Sequence, residues 1–325
     1  MNEPLLRVKD LFISYRVYQG LLKVLNGVEL SVDTKERVGL IGESGCGKTT
    51  TMKAIMRILA QNAVFEGGSI VYKGMDVMKL GGRDLMSLRR NSLSMIFQDP
   101  TAALNPVFKV KDQLQDIVRY SSLVGKDPTE QEVKAKAIEL LKDAALPEPE
   151  RILDSYPFQL SGGMRQRVCI AMSLASAKDL LIADEPGTSL DVTIEDQIMK
   201  LLRQIVEERD LSVILITHSV GTIKGFVDRV MVMYAGTIVE EGSTEELFSS
   251  PLHPYTQLLL KAVPKLTGGG VPEGIRGRIP TYLDPPPGCR FITRCPFAMS
   301  KCATRPPMTD VGDGHQVACY LHGGA

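Results

Sequence analysis

Gly42-Glu43-Ser44-Gly45-Cys46-Gly47-Lys48-Thr49 fits the pattern G-x-x-x-x-G-K-[ST]. Glycines at such positions let a backbone wrap closely enough for its N–H groups to face phosphate oxygens. A helix starting directly afterwards turns its positive end on the same anion. Lys48 is then placed to reach outer phosphates, and the Thr49 hydroxyl to coordinate Mg²⁺. Cys46 fills a variable position, and its thiol is given no chemical role. A second run, Leu180-Leu181-Ile182-Ala183-Asp184-Glu185, is apolar and ends in two carboxylates. Asp184 can hold the Mg²⁺ shell, and Glu185 can orient and deprotonate an attacking water. Alone, such a run reads equally well as an acidic turn after a strand; beside a phosphate loop it reads as the other half of a phosphoryl-transfer site.

A third group lies near the end: Cys289, Cys295, Cys302 and Cys319, spaced C-x5-C-x6-C-x16-C. Four thiolates can hold tetrahedral zinc or an iron–sulfur cluster. The spacing matches neither the C-x2-4-C pairs of structural zinc modules nor the common ferredoxin runs, so spacing leaves both open. Cys46 and Cys169 stand alone in the main body, and a reducing cytosol argues against disulfides throughout.

The elements that must position these residues are legible in outline. Val24 to Val32 and Arg37 to Ile41 are strand candidates, Gly42 to Thr49 a loop, Thr50 to Ala60 a helix and Ser69 to Tyr72 a strand. From about Asn105 to Ala175 the pattern is helical. Asp127, Pro128 and Glu130 read as an N-terminal cap. Behind them Val133, Ala137, Leu140, Leu141, Ala144 and Ala145 repeat at helical spacing, ending before Pro147. Leu180 to Ala183 and Val213 to Thr217 suit buried parallel strands. Met231 to Tyr234 and Thr237 to Glu240, joined at Ala235-Gly236, predict a hairpin. Tyr255 to Val263 predicts a short helix, and Thr267 to Gly274 a flexible joint. The division expected is a main α/β domain over 1–250, with a helical part at about 105–175, and an appendage over 251–325.

Composition narrows the function classes. The 325 residues are 44% apolar, ample for a core, and carry 38 basic and 38 acidic side chains. A net charge of zero gives no support to nucleic-acid binding. No apolar stretch approaches the roughly 20 residues of a membrane-spanning helix. The first residues lack the apolar core of a secretory signal. The expectation is a cytoplasmic protein whose membrane association comes through a partner.

With these residues in view, the chain resembles the ATP-binding-cassette (ABC) ATPases. Leu160-Ser161-Gly162-Gly163-Met164-Arg165-Gln166-Arg167 is similar to their signature motif, with Met164 where the family usually has Gln. Gln98, in Phe97-Gln98-Asp99-Pro100, resembles the Q-loop residue that contacts Mg²⁺ and water. Ser189-Leu190-Asp191 resembles the D-loop, with Gly187 in place of a more usual Thr or Pro. His218 resembles the switch histidine at the γ-phosphate. Tyr15 resembles the aromatic that stacks on adenine, with Tyr18 as its rival. Ser250-Pro251-Leu252-His253-Pro254-Tyr255-Thr256, Pro285-Pro286-Pro287-Gly288-Cys289-Arg290-Phe291 and Arg294-Cys295-Pro296 are similar to segments of oligopeptide and dipeptide importer ATPases.

The resemblance covers nearly the whole chain. It implies a RecA-like parallel-sheet core, an antiparallel β subdomain, a helical subdomain and a small Cys-rich C-terminal extension. It implies ATP and Mg²⁺ held by Tyr15, Gly42, Ser44, Gly45, Cys46, Gly47, Lys48, Thr49, Thr50, Gln98 and Asp184. Glu185, His218, Gln98 and Lys48 are its catalytic set, and Thr49, Gln98 and Asp184 its Mg²⁺ set. Ser161, Gly162, Gly163 and Asp191 would act on the nucleotide of an opposed ATPase subunit, in a heterodimer. Two transmembrane permeases and an extracytoplasmic binding protein complete the implied assembly, with the chain on the cytoplasmic face of the membrane and no nucleic acid involved. The cargo implied is di- or oligopeptide, with oligosaccharide or a non-transport role as alternatives. The tail is similar to tails proposed to hold a [4Fe–4S] cluster on Cys289, Cys295, Cys302 and Cys319, with Zn²⁺ as the alternative. Lying outside the ATPase motifs, it is expected to be structural, and Cys295→Ser to destabilise the tail while leaving nucleotide binding to the main domain largely intact.

Overall fold

The computed structural model describes residues 3–188, 190–218, 220–262 and 274–323. By its contacts the chain divides into two compact units. One comprises Met1–Asp33, Arg37–Lys79 and Ile216–Ala325, the other Thr34–Glu36 and Leu80–Leu215.

In the first unit, strands Leu6–Val17, Gly20–Val32, Ala63–Tyr72 and Met75–Asp76 form an antiparallel sheet. Leu6–Val17 lies inside it, paired on one side with Gly20–Val32 and on the other with Ala63–Tyr72. Leu6, Val8, Leu11 and Ile13 are buried. Their alternation changes phase at Lys9-Asp10, where Asp10 takes a positive φ of 48° and the register shifts. That bulge hides the strand from a period-two reading, and the sequence analysis did not find it. Arg37–Ile41 pairs in parallel with Arg229–Tyr234. Val38, Leu40 and Ile41 are buried, as expected of a strand covered on both faces.

Arg229–Tyr234 and Thr237–Ser243 form the expected hairpin, with Tyr234 opposite Thr237. Its two-residue turn is Ala235-Gly236, at φ 44° and 79°, the pair of positive φ values that a tight hairpin requires. A Cβ at Gly236 would fall 1.7 Å from the Val24 carbonyl oxygen, so only glycine fits.

The C-terminal residues belong to this same unit. Gln316–Val317 adds to the free edge of Thr237–Ser243 through Glu240 and Glu241. Phe291, 1% exposed, packs edge-on to Tyr234 with ring centres 5.0 Å apart, and against Tyr255 at 5.4 Å. Helix Pro254–Lys261 begins where His253 accepts a hydrogen bond from the Tyr255 N–H. Most of the expected joint Thr267–Gly274 lies outside the described residues.

The second unit carries the parallel pair Leu93–Ile96 and Leu180–Asp184, both fully buried, with Ser212–Ile216 next to the latter. Helices Val110–Tyr120, Glu130–Asp143, Pro149–Asp154 and Gly162–Leu174 occupy the stretch read as helical. The cap of Glu130–Asp143 differs from the expectation. It is Thr129, two residues beyond Asp127. The Thr129 hydroxyl accepts from the Glu132 N–H, and the Glu132 carboxylate accepts from the Thr129 N–H. This reciprocal pair satisfies two end donors at once. Val133, Ala137, Leu140, Leu141 and Ala144 are fully buried, as the spacing predicts, while Ala145 leaves the helix at φ 53°. Among the described residues, no helix is long and apolar enough to cross a membrane. Leu141→Ala is expected to cost about 2–5 kcal/mol by emptying a site with 0% exposure. The measurement is the urea midpoint of unfolding, and an unchanged midpoint would contradict this packing.

Candidate functional site

The strand Arg37–Ile41 hands the chain to Gly42, and helix Lys48–Ile55 begins six residues later. Gly47 caps that helix at φ 113° and offers no side-chain hydrogen bond to its first turn. The opening N–H groups of the helix are thereby left to the loop side. A Cβ at Gly42 would lie 2.2 Å from the Met233 carbonyl oxygen, so the loop must begin with glycine. Ser44 and Gly45 are exposed at the loop's outer edge, whereas Lys48 is only 5% exposed. Its ammonium donates to the carbonyls of Gly42 at 2.8 Å and Glu43 at 3.1 Å, inside the curve of the loop. Thr49 and Thr50 follow, half-buried. Burial pushes the Cys46 thiol above its usual range despite Lys48 nearby, which suits a packing residue rather than a nucleophile. Its carbonyl instead accepts the Gly236 N–H, tying the loop to the hairpin turn. In the same unit Tyr15 is half-buried on its strand, opposite Leu22 and Ala63, while Tyr18 lies fully exposed in the turn. His218 follows strand Ser212–Ile216 and is exposed.

In the second unit the strand Leu180–Asp184 buries Asp184 to 1% exposure at its carboxyl end. Glu185 comes next at φ 48°, a left-handed conformation that few non-glycine residues adopt. Its Oε2 accepts from the Gln98 side-chain amide at 2.9 Å and from the Thr188 hydroxyl at 3.0 Å. The sequence analysis placed Gln98 and Glu185 in the site but missed Thr188. The available signal was a hydroxyl three residues beyond the carboxylate.

Ser161 caps helix Gly162–Leu174 by accepting the Met164 N–H. A Cβ at Gly163 would approach Ile194 Cγ2 to 2.8 Å, and one at Gly162 would approach Leu190 to 3.2 Å. Asp191 caps helix Val192–Glu208 through the Ile194 N–H at 3.0 Å. Signature and D-loop residues are thus packed together at two helix starts; Ser189 lies outside the described residues. Gly187 also has a reason here: a Cβ on it would meet Glu195 Cγ at 2.5 Å.

The family profile described as ABC transporter matches residues 25–188. That described as Oligopeptide/dipeptide transporter, C-terminal region, matches 239–302. The Bacillus subtilis oligopeptide transport ATP-binding protein OppD is 41% identical over 321 residues, 98% of this chain and 88% of the relative. The chain belongs to the ABC transporter ATP-binding proteins of the oligopeptide/dipeptide family. The dipeptide transport ATP-binding protein DppD of B. subtilis is also 41% identical, covering 98% of this chain and 95% of the relative. Among solved structures, the dimeric post-hydrolysis state of the ATP-binding cassette MJ0796, bound to ADP and Pi, matches with a TM-score of 0.65. It is 26% identical, covering 74% of this chain and 98% of that one. The chain therefore has the cassette fold and is an ATP-hydrolysing enzyme.

In this ABC ATPase the tail packs against the phosphate loop. Arg294 forms a two-pronged ion pair with Glu43 at 2.7 and 3.0 Å. The Tyr282 hydroxyl donates to the Gly45 carbonyl at 2.7 Å, and the Glu43 N–H donates to the Tyr255 hydroxyl at 2.8 Å. Beyond them Cys289, Cys295, Cys302 and Cys319 line one small cavity with His253, Phe291 and Phe297. The Cys289 N–H donates to the Cys302 carbonyl at 2.9 Å. The sulfurs of Cys289, Cys295 and Cys319 accept backbone N–H groups of Phe291, Phe297 and Leu321. Burial nonetheless pushes the Cys289 thiol up to about 11 and raises the thiols of Cys295 and Cys319. Among the described residues, no three His, Cys, Asp or Glu side chains converge closely enough for a single metal ion.

Gly187→Thr, which restores the residue type more usual in the family, is expected to destabilise by about 1–3 kcal/mol through overpacking against Glu195. Adding Glu195→Ala should recover at least half of that loss. Equal melting temperatures for Gly187→Thr and the native chain would show that the contact does not constrain the loop.

Proposed function

We propose that this chain is the ATP-hydrolysing motor subunit of a peptide importer, working on the cytoplasmic face of the membrane without crossing it. The observation that carries the reading is the joining, in one chain, of a phosphate loop with buried Lys48 to a tail of the oligopeptide/dipeptide type. Residues 1–250 form the ATPase domain and 251–325 its extension. Lys48 neutralises the outer phosphates, and the backbone of Gly42, Ser44, Gly45, Cys46 and Gly47, with Thr49 and Thr50, cradles them. Tyr15 stacks on the adenine face. Thr49, Asp184 and Gln98 offer hard oxygen ligands, a donor set that suits Mg²⁺. When bound, that ion neutralises charge developing on the β- and γ-phosphate oxygens.

Glu185 is the general base. Its carboxylate takes the proton of a water whose oxygen attacks the γ-phosphorus, while the bond to the β-phosphate oxygen breaks and ADP leaves. The hydrogen bonds from Gln98 and Thr188 orient the carboxylate through Oε2. His218 steadies the γ-phosphate. Ser161, Gly162, Gly163 and Asp191 act on the nucleotide of a second ATPase subunit in a heterodimer. One phosphate loop and one signature occur in the chain, so each site draws on both subunits. Two permeases and an extracytoplasmic binding protein complete the importer, whose cargo is di- or oligopeptide.

The four tail cysteines fit a [4Fe–4S] cluster. They line one apolar-walled cavity with His253, Phe291 and Phe297. Zn²⁺ is the alternative ligand. It would need all four sulfurs about 2.3 Å from one ion. Such a group supplies folding free energy to a proline- and glycine-rich segment.

Glu185→Gln in the assembled importer should keep ATP binding while lowering hydrolysis about 100-fold or more and stopping peptide uptake. Near-normal turnover would remove Glu185 from the role of base. Lys48→Ala should weaken nucleotide binding itself. Protein purified without oxygen should be brown and contain iron and acid-labile sulfide. Stoichiometric zinc without iron would replace the cluster by a zinc staple.

A further inference from the structure

We propose that Arg294 and Tyr282, two residues of the C-terminal extension outside every ATPase motif, are positioning residues that hold the phosphate loop in the shape that binds nucleotide. This rests on the ATPase reading above. Glu43 occupies a variable position of the loop pattern, and its carboxylate turns to the tail rather than toward Lys48. It meets the planar fork of Arg294 squarely, Nη1 to Oε2 at 2.7 Å and Nη2 to Oε1 at 3.0 Å. Paired two-point contacts of this kind fix direction as well as distance.

Arg294 is itself immobilised. Its side chain is 5% exposed, and its remaining donors go to the Tyr234 hydroxyl and to the carbonyls of Ile275 and Arg276, at 3.3, 3.1 and 2.9 Å. The five N–H donors of a guanidinium are all engaged. A surface ion pair is worth little because both chains are free to wander; here one partner is a fixture, and Glu43 is only 24% exposed.

Two further contacts act on neighbouring peptides. Tyr255 accepts the Glu43 N–H. Tyr282 donates to the Gly45 carbonyl, and its own carbonyl accepts the Lys23 N–H of the strand Gly20–Val32. In a trans peptide the carbonyl of Gly45 and the N–H of Cys46 point in opposite directions. A hydroxyl that grips the first therefore sets the second. Gly45 needs such a grip: it sits at φ 79° in open space, with no neighbour within 4 Å of where a Cβ would stand. Glycine there is free to leave that conformation, and nucleotide binding would have to order it anew. The tail does this ordering beforehand, which raises affinity without touching the ligand.

The test uses the full chain, a fluorescent ATP analogue for equilibrium binding, and the assembled importer for kinetics. Arg294→Ala and Glu43→Ala should each weaken binding about tenfold. The double variant should be little weaker than Arg294→Ala alone, because both single changes break the same ion pair. Arg294→Lys, keeping charge but losing the fork, should recover only part of the affinity. Tyr282→Phe, which deletes one hydroxyl and leaves the fold intact, should weaken binding several-fold at an unchanged melting temperature. In the importer, KM for ATP should rise with kcat preserved. Native-like binding in both Arg294→Ala and Tyr282→Phe would overturn the inference, as would additive losses in the double variant or a fall in kcat at constant KM. Failure of the native chain itself to bind ATP would overturn the ATPase reading, and this inference with it.

Discussion

The first N–H groups of helix Lys48–Ile55 have no side-chain cap, because the residue before them is glycine. Most helices satisfy these donors with a serine, threonine or aspartate, and this chain does so at Ser161, Asp191 and Ser243. Leaving this helix uncapped directly after a glycine-rich loop makes a place for an anion, and much of the first unit follows from it. The strand Arg37–Ile41 must end close to the helix start, so the connection is short and glycine-rich. Lys48 must stay inside a loop that buries it, so it leans on the carbonyls of Gly42 and Glu43. The loop's outer side must be fastened elsewhere, because its inner side is reserved. The hairpin turn at Gly236 and the tail side chains supply that fastening.

The second unit solves a complementary problem. If Glu185 is the general base proposed above, its carboxylate has to be held in one orientation. Gln98 and Thr188 both donate to one oxygen of Glu185. The positive φ at Glu185 turns the side chain off the strand axis immediately after Asp184 has used the strand end.

The phosphate loop, the strand ending in Asp184 and the hairpin were all legible in the sequence. Each is carried by a contiguous string whose residue types answer a local constraint. What escaped depends on distance or phase. The strand Leu6–Val17 is broken in its alternation by the bulge at Asp10. The cap at Thr129 competes with Asp127, which also has a glutamate three residues on, and only the folded helix decides between them. Gln98 meets Glu185 across 87 positions, and Arg294 meets Glu43 across 251. No local pattern marks such pairs. The Gly187 substitution becomes intelligible only when Glu195 is seen beside it.

If the Arg294–Glu43 pair positions the loop as proposed, tail and loop influence each other in both directions. A buried ion pair adds little net stability over an apolar contact, yet breaking it strands a charge. Its weight lies in coupling two segments that otherwise share few bonds. If the tail stabilises the loop conformation that binds ATP, then bound ATP stabilises the tail by the same factor, since coupling free energies are reciprocal. The extension is then neither a passive appendage nor a one-way regulator. Cys295 follows Arg294 directly in the chain, so whatever orders the cysteine cavity also places the guanidinium. Nucleotide occupancy and tail order become one linked equilibrium, carried by a carboxylate at a loop position that phosphate binding itself leaves free.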